Sequence, residues 1–141
     1  MRKLFFVMLF TLCSLSGLAQ DKTGEAPKGP SNKEILARGT VFFVKTDTAF
    51  VLKEELEKGL IRNEKLERWG LQVTQYERDA DFVLNVRRAP FTTFFPYTVT
   101  DRHTGKIVIA GEPNSLGGTV PGKIAADIAE KLKKIYEPKT K

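Results

Sequence analysis

The densest group of side chains suited to recognition lies between residues 87 and 97. Arginine guanidinium groups stack on aromatic rings, and exposed rings offer large apolar contact areas, so such a group could grip an apolar or anionic partner. An alternative is that the rings fill the core while the arginines flank a strand. We take the whole group as the candidate interaction surface: Arg87, Arg88, Phe91, Phe94, Phe95 and Tyr97.

Titratable side chains occur in two nearby segments. Glu77, Asp79 and Asp81 could bind Ca²⁺ or share a proton, and Asp101 could pair with His103, the single histidine of the chain. The acidic trio lacks the oxygen-rich, glycine-containing loop of a calcium site, and a histidine without a nucleophile at known spacing is weak evidence for a general base. We therefore predict solvated turns, with no catalytic residue and no metal ligand.

Residues 117–123 (GGTVPGK) match the spacing of a phosphate-binding loop. Ile124 stands where a hydroxyl would hold magnesium, and Pro121 lacks an amide N–H that could bind phosphate. The sequence therefore favours a glycine-rich approach to a helix, with no nucleotide and no other cofactor.

The composition excludes several classes of protein. One histidine and one cysteine among 141 residues exclude most zinc sites, histidine triads and disulfide frameworks. A hydrophobic fraction of 41% with 28% charged residues is typical of a folded domain. The formal charge is +6, and removal of Arg2 and Lys3, which lie in the first 19 residues, leaves 21 basic and 17 acidic side chains, a mild excess of +4. It suits weak attraction to an anionic membrane or lipopolysaccharide surface, and we expect no nucleic-acid partner.

The first 19 residues have the pattern of an export signal. Two positive residues precede an apolar run from Leu4 to Leu12, and the small residues Gly17 and Ala19 fit a cleavage site after Ala19. Lipidation at Cys13 is an alternative, but a lipoprotein signal wants a small residue before the cysteine and Leu12 occupies that place. We predict a periplasmic or secreted protein that is not a lipoprotein.

Hydrophobic periodicity orders the rest of the chain. Residues 20–39 are predicted to form a flexible linker, and residues 40–141 a single domain with the order β-α-β-β-β-β-α. The expected helices cover residues 52–62 and 121–136, each with one apolar stripe. We therefore predict an α+β fold in which a mixed sheet of about five strands carries two helices on one face.

Three stretches carry a family resemblance. Residues 80–86 (ADFVLNV), 97–108 (YTVTDRHTGKIV) and 123–129 (KIAADIA) resemble the amino-terminal domain of TolB, and CsgG-like small periplasmic proteins are similar. The resemblance implies an α+β fold in the cell envelope and non-enzymatic binding of other envelope proteins. This chain has no TolB propeller, so no partner or site is carried over.

The sequence thus predicts an exported cell-envelope binding or assembly module that acts through non-covalent protein contacts and not as an enzyme. The alternative is a protein that binds lipid or lipopolysaccharide, which requires a hydrophobic groove between helices and sheet with basic residues at its mouth.

Overall fold

The computed structural model describes residues 29–115 and 119–137. The predicted export signal, Cys13 and most of the linker lie outside the described residues, as do Gly117 and Gly118 of the glycine-rich loop. Within the described residues, no helix combines the length and apolar character needed to cross a bilayer.

A five-stranded mixed sheet forms the framework, with strand order β2-β1-β3-β4-β5. Strand β1 runs parallel to both β2 and β3, whereas β3, β4 and β5 pair antiparallel. The predicted α+β class with a five-stranded mixed sheet is confirmed. The strands are β1 (Val41–Thr46), β2 (Gln72–Thr74), β3 (Phe82–Val86), β4 (Tyr97–Asp101) and β5 (Ile107–Gly111).

Alternation along the strands decides which face is buried. In β3, Phe82, Leu84 and Val86 are buried, while Val83 and Asn85 point to the other face and are only half-buried. The same two-residue period holds in β1 and β4, because successive side chains of a strand point to opposite faces. One face of the sheet therefore builds the core, and the other carries the polar members of each strand.

Helices cover the apolar face. They are α1 (Asn32–Leu36), α2 (Lys53–Ile61), α3 (Glu64–Arg68) and α4 (Val120–Tyr136). In α4, Ile124, Ile128 and Leu132 are almost fully buried, as the apolar stripe predicts. A Cβ at Gly59 of α2 would lie 3.3 Å from the Pro121 carbonyl oxygen, so this glycine lets α2 and α4 pack closely.

The domain begins earlier than predicted, because the short helix α1 precedes the expected boundary at residue 40. Ser31 and Glu34 form a capping box, in which the Ser31 N–H donates to the Glu34 carboxylate at 2.7 Å. Ile35 and Leu36 are buried in the core, and the Asn32 amide donates to the Val108 carbonyl 3.3 Å away. The segment 32–39, predicted to belong to the linker, is therefore part of the domain.

Three connections meet at one end of the sheet. Strands β1 and β3 finish there, β4 begins there, and β5 finishes opposite the start of β4, since Tyr97 pairs with Gly111. The described parts of these connections are residues 47–52, 87–96, 112–115 and 119, and this end of the sheet carries most of the predicted interaction residues.

Candidate functional site

The end of the sheet just described exposes a group of large apolar side chains. Phe50 is 66% exposed, Leu52 60%, Phe91 fully and Phe94 40%. All four lie on the connections after β1 and β3. Together with Arg88 we call these residues the aromatic tip. Because large apolar side chains are exposed at one end of a small domain, this end is a candidate interaction surface.

Arg88 contacts both of the connections that form the tip. Its guanidinium carbon lies 3.7 Å from the centre of the Phe50 ring, which is a cation–π contact. Its Nε donates to the Thr92 carbonyl at 3.2 Å. Arg88 thus links the connection after β1 to the connection after β3.

Hydrogen bonds within residues 89–94 also hold that connection. The Thr92 hydroxyl donates to the Ala89 carbonyl at 2.9 Å, and the Ala89 N–H donates to the Phe94 carbonyl at 3.2 Å. Phe94 in turn forms an isolated bridge with Asn114. The aromatic side chains of the tip are therefore presented by a folded loop.

Phe91 adopts an unfavourable backbone conformation. Its φ is +58°, and among the described residues no other non-glycine residue has a positive φ. The left-handed region costs an L-residue about 1–2 kcal/mol, because Cβ approaches the following carbonyl oxygen. The ring is fully exposed, so burial within the chain does not offset this strain.

The structure divides the six residues that the sequence grouped together. Phe91 and Phe94 are exposed, Arg88 is half-buried, and Arg87 is exposed with its Nε 3.5 Å from Asp47. Phe95 and Tyr97 are 5% and 2% exposed, so they belong to the core and cannot form part of a contact surface. The division follows from the strand period, which places Phe94 and Phe95 on opposite sides.

Two residues of the tip, Phe50 and Leu52, are not among the six interaction residues predicted from the sequence. Leu52 was assigned to the apolar stripe of α2, but it is the residue before the first helical turn and points into solvent. Phe50 lies in a turn in which its own N–H donates to the Thr48 hydroxyl. The sequence signal for the exposure of Phe50 is its position beside the turn residue Thr48.

Next to the tip, a shallow hollow of about 380 Å³ lies between one side of α2 and the start of α4. Phe50, Leu52 and Pro121 supply its apolar walls, and Lys58 and Arg62 line its side. The tip therefore borders a concave surface into which a partner side chain can fit.

At the opposite end of the sheet, Asp81, Asp101 and His103 line a hollow of about 290 Å³, while Asp79 does not. The Asp81 carboxylate accepts from the backbone N–H groups of Thr40 and Val41 at 2.8 and 3.0 Å. These bonds fix the start of β1 against β3.

Asp101 has a comparable structural role. Its carboxylate accepts from the hydroxyl and the N–H of Thr104, the latter at 2.9 Å. The bond from the Thr104 hydroxyl holds the pKa of Asp101 below its ordinary value, against the opposing effect of burial. In the described part of the chain, no group of three histidine, cysteine or acidic side chains is placed to hold a metal ion. The Asp81 and Asp101 carboxylates that line this hollow thus already accept hydrogen bonds from backbone N–H groups.

A half-buried polar network joins α4 to the sheet. The Tyr97 hydroxyl donates to the Asp127 carboxylate at 2.7 Å, and the Lys131 ammonium donates to the same oxygen at 2.6 Å. Lys131 also donates to the Ala110 carbonyl at 2.7 Å. Burial and the neighbouring Asp127 raise the pKa of Tyr97, so its hydroxyl stays protonated and serves packing rather than reaction.

Comparison with known proteins identifies no family for this chain. No family model matches it, and no curated protein matches it. Among solved structures it is similar to a point variant of the PelC dodecamer from Paraburkholderia phytofirmans. The identity is 19%, with 77% of this chain and 94% of that chain covered and a TM-score of 0.38. Another crystal form of the PelC dodecamer is 16% identical over 77% of this chain and 92% of that chain, with a TM-score of 0.32.

The resemblance to the TolB amino-terminal domain and to CsgG-like proteins is therefore wrong, since the two solved structures just described are of PelC. Short strand and turn patterns such as Ala80-Asp81 recur in many sheets, because an aspartate that accepts two N–H groups is a general way to begin a strand pair. At these identities and TM-scores the likeness to PelC transfers nothing about activity.

Proposed function

We propose that this chain is a non-covalent protein-binding module of the cell envelope, and that it docks through the aromatic tip. The composition of the tip supports this proposal. Aromatic residues and arginine are enriched in the buried centres of protein interfaces, and Phe50, Phe91 and Arg88 supply both kinds of group. The location in the envelope comes from the pattern of the first 19 residues.

The conformation of Phe91 carries the proposal. Strain of about 1–2 kcal/mol lowers the stability of the isolated domain, and the phenyl ring, left wholly in water, contributes no burial that would offset it. A partner that buries the ring would recover about 1.5–3 kcal/mol. A residue that destabilises its own fold while presenting an apolar ring suits binding better than folding.

The charges beside the tip favour a protein over a lipid surface. Arg87 is exposed, but its Nε lies 3.5 Å from the carboxylate of Asp47, and Glu54 lies exposed in the first turn of α2. An anionic bilayer attracts clusters of basic residues and repels carboxylates at the same surface. Mixed charge around an apolar centre is the usual rim of a protein interface.

Site-specific photo-crosslinking tests this proposal. A benzophenone amino acid replaces Phe91 in the full chain within its native envelope, and the matched control carries it at Ile107. That residue is 53% exposed and lies at the opposite end of the sheet. We expect one discrete protein adduct from position 91, none from position 107, and loss of the adduct when Phe50→Ser is added.

Three results would contradict the proposal. They are adducts with lipid alone, equal adducts from positions 91 and 107, and an adduct that persists in the Phe50→Ser chain. A thermal melt of each variant distinguishes lost binding from lost folding.

A further inference from the structure

Two glycines line the hollow of about 380 Å³ beside the aromatic tip, which we call the tip hollow. They are Gly59 of α2 and Gly122 of α4. Gly59 is required by packing, because its Cβ would crowd the Pro121 carbonyl oxygen. A Cβ at Gly122, by contrast, would meet no heavy atom within 4 Å, and Gly122 does not have a positive φ. Neither packing nor backbone conformation therefore requires glycine at position 122.

The effect of Gly122 is to leave the tip hollow open. Glycine weakens a helix relative to alanine, so its presence in the first turn of α4 does not serve the stability of that helix. The space lies beside the apolar walls that Phe50, Leu52 and Pro121 provide. An apolar side chain inserted into a pocket at the centre of an interface is a common anchor of protein binding. The tip hollow suits such an anchor.

Arg88 offers hydrogen-bond donors next to the tip hollow. Phe50 joins the two features, because its ring lines the hollow and its centre lies 3.7 Å from the guanidinium carbon of Arg88. The Arg88 Nε donates to the Thr92 carbonyl, but the two terminal nitrogens have no acceptor in the described part of the chain. Neither of these nitrogens is shut off from solvent, so a ligand can reach both.

The charges around these donors favour a carboxylate as the ligand. Arg88 is half-buried, and none of the described carboxylates lies within 4 Å of it. Of the charged residues that line the tip hollow, Lys58 is paired with Glu55 at 2.8 Å, whereas Arg62 forms no ion pair within the ranges that the structure describes. A cation without a counter-ion beside an apolar wall gains most from an acidic partner, and guanidinium nitrogens match the two oxygens of a carboxylate.

We infer that the partner of the aromatic tip presents an acidic peptide segment, with an apolar side chain in the tip hollow and a carboxylate on the terminal nitrogens of Arg88. This inference rests on the proposed function, because it names the chemistry of the protein that docks there. The Phe50 ring separates the two contacts. The two side chains of the partner should therefore lie about 7 Å apart, which is the spacing of residues i and i+2 in an extended chain.

A peptide titration of the full chain, followed by nuclear magnetic resonance, tests the inference. The probe is the capped peptide Gly-Ser-Phe-Ser-Glu-Ser-Gly, and two matched control peptides replace its Phe by Ser or its Glu by Gln. We expect the probe to shift the backbone N–H signal of Gly122 and the Nε–H signal of Arg88, with a Kd of about 1 mM or below. Each control peptide should bind at least about fivefold more weakly, because each lacks one of the two matched groups.

Two variants locate the two contacts. Gly122→Leu fills the tip hollow, and Arg88→Gln removes the cation; each should weaken binding of the probe about tenfold. Arg88→Gln should also abolish the preference for Glu over Gln in the peptide. The matched control Arg68→Gln removes an exposed arginine of α3 and should leave binding unchanged. If a thermal melt shows that Arg88→Gln is unfolded, Gly122→Leu and the Gln peptide still decide the result.

The inference is overturned if about 5 mM probe causes no shifts, or if either control peptide binds as tightly as the probe. Equal weakening by Arg88→Gln and Arg68→Gln would indicate unselective attraction and would also overturn it. The adducts from position 91 judge the proposed function separately. Discrete protein adducts without probe binding reject this inference alone, whereas probe binding without adducts rejects docking to an envelope protein and leaves the peptide preference standing.

Discussion

The Asp127 carboxylate offers a test of how α4 is held to the sheet, through the substitution Asp127→Asn. One of its oxygens accepts from the Tyr97 hydroxyl and from the Lys131 ammonium, at 2.7 and 2.6 Å. Asparagine has nearly the same shape but no charge, so the perturbation removes the ionic part of both bonds and little packing.

The expected loss follows from these two contacts. Hydrogen bonds to a charged group contribute about 1.5–3 kcal/mol each when shielded from water. The side chains of Lys131 and Asp127 are 36% and 35% exposed, so solvent screening reduces their ion pair to about 0.5–1 kcal/mol. Tyr97 can still donate to the asparagine oxygen. The free energy of unfolding should therefore fall by about 1–2 kcal/mol. Each kcal/mol lost should lower Tm by about 4–8 °C.

The dependence on pH gives the same test a second readout. Burial raises the pKa of Asp127, but the hydrogen bonds from Lys131 and Tyr97 outweigh it and hold the pKa below its ordinary value. A lowered native pKa stabilises the fold above the ordinary carboxyl pKa, and this contribution is lost as the pH falls through the lowered value. The stability difference between the native chain and Asp127→Asn should be constant near neutral pH and shrink in acid.

Urea unfolding at a series of pH values measures both quantities. Glu130→Gln is the matched control, because Glu130 lies on the same helix with its carboxylate 3.7 Å from Lys65 and 64% exposed. It should change stability by less than about 0.5 kcal/mol. The reasoning is refuted if the two variants are equally stable near neutral pH, or if the gap for Asp127→Asn persists unchanged in acid.

Other substitutions test the packing and the strain, each by urea unfolding. Phe91→Asn should raise the free energy of unfolding by about 0.5–1.5 kcal/mol, because asparagine tolerates a positive φ; a loss of stability would show that the phenyl ring supports the fold. Gly111→Ala should destabilise the domain by more than about 2 kcal/mol, since its Cβ would lie closer than 3.0 Å to atoms of Asp127 and two other side chains; a neutral effect would contradict this packing. Gly122→Ala, which meets nothing within 4 Å inside α4, should instead stabilise it by about 0.5–1 kcal/mol, and a loss would mean that the start of α4 needs glycine. Leu84→Ala, at a position with no solvent exposure, should cost about 2–5 kcal/mol, and a cost below 1 kcal/mol would contradict a core centred on β3.

The sheet and the long helices could be predicted because their burial is one-sided and regular. In residues 82–86 a strict alternation marks the core face, and in 121–136 an apolar stripe at helical spacing marks the face that packs on the sheet. Both patterns are local, so one sequence suffices to read them.

Features that depend on distant contacts could not be predicted in this way. The five-residue helix α1 is too short to show an apolar stripe, and it is held by bonds across the chain such as that from Asn32 to Val108. That Phe94 and Phe95 face opposite ways follows from strand alternation, but which of the two is buried depends on how β4 pairs with β3 and β5. The network of Asp127 with Tyr97 joins residues 30 positions apart, and neither stood out in the sequence as half of a pair.

The topology itself explains why the aromatic tip lies where it does. In open sheets with parallel strands, ligands bind beyond the carboxyl ends of the strands, at the point where neighbouring connections leave in different directions. Here β1 leads to α2 on the helical face, whereas β3 returns directly into its antiparallel neighbour β4. The two connections therefore diverge beyond adjacent strand ends, and within the described ranges no further layer covers the residues they carry. Phe50 and Phe91 lie on these two connections, so the fold supplies an uncovered position and the sequence fills it with apolar rings that the core does not need.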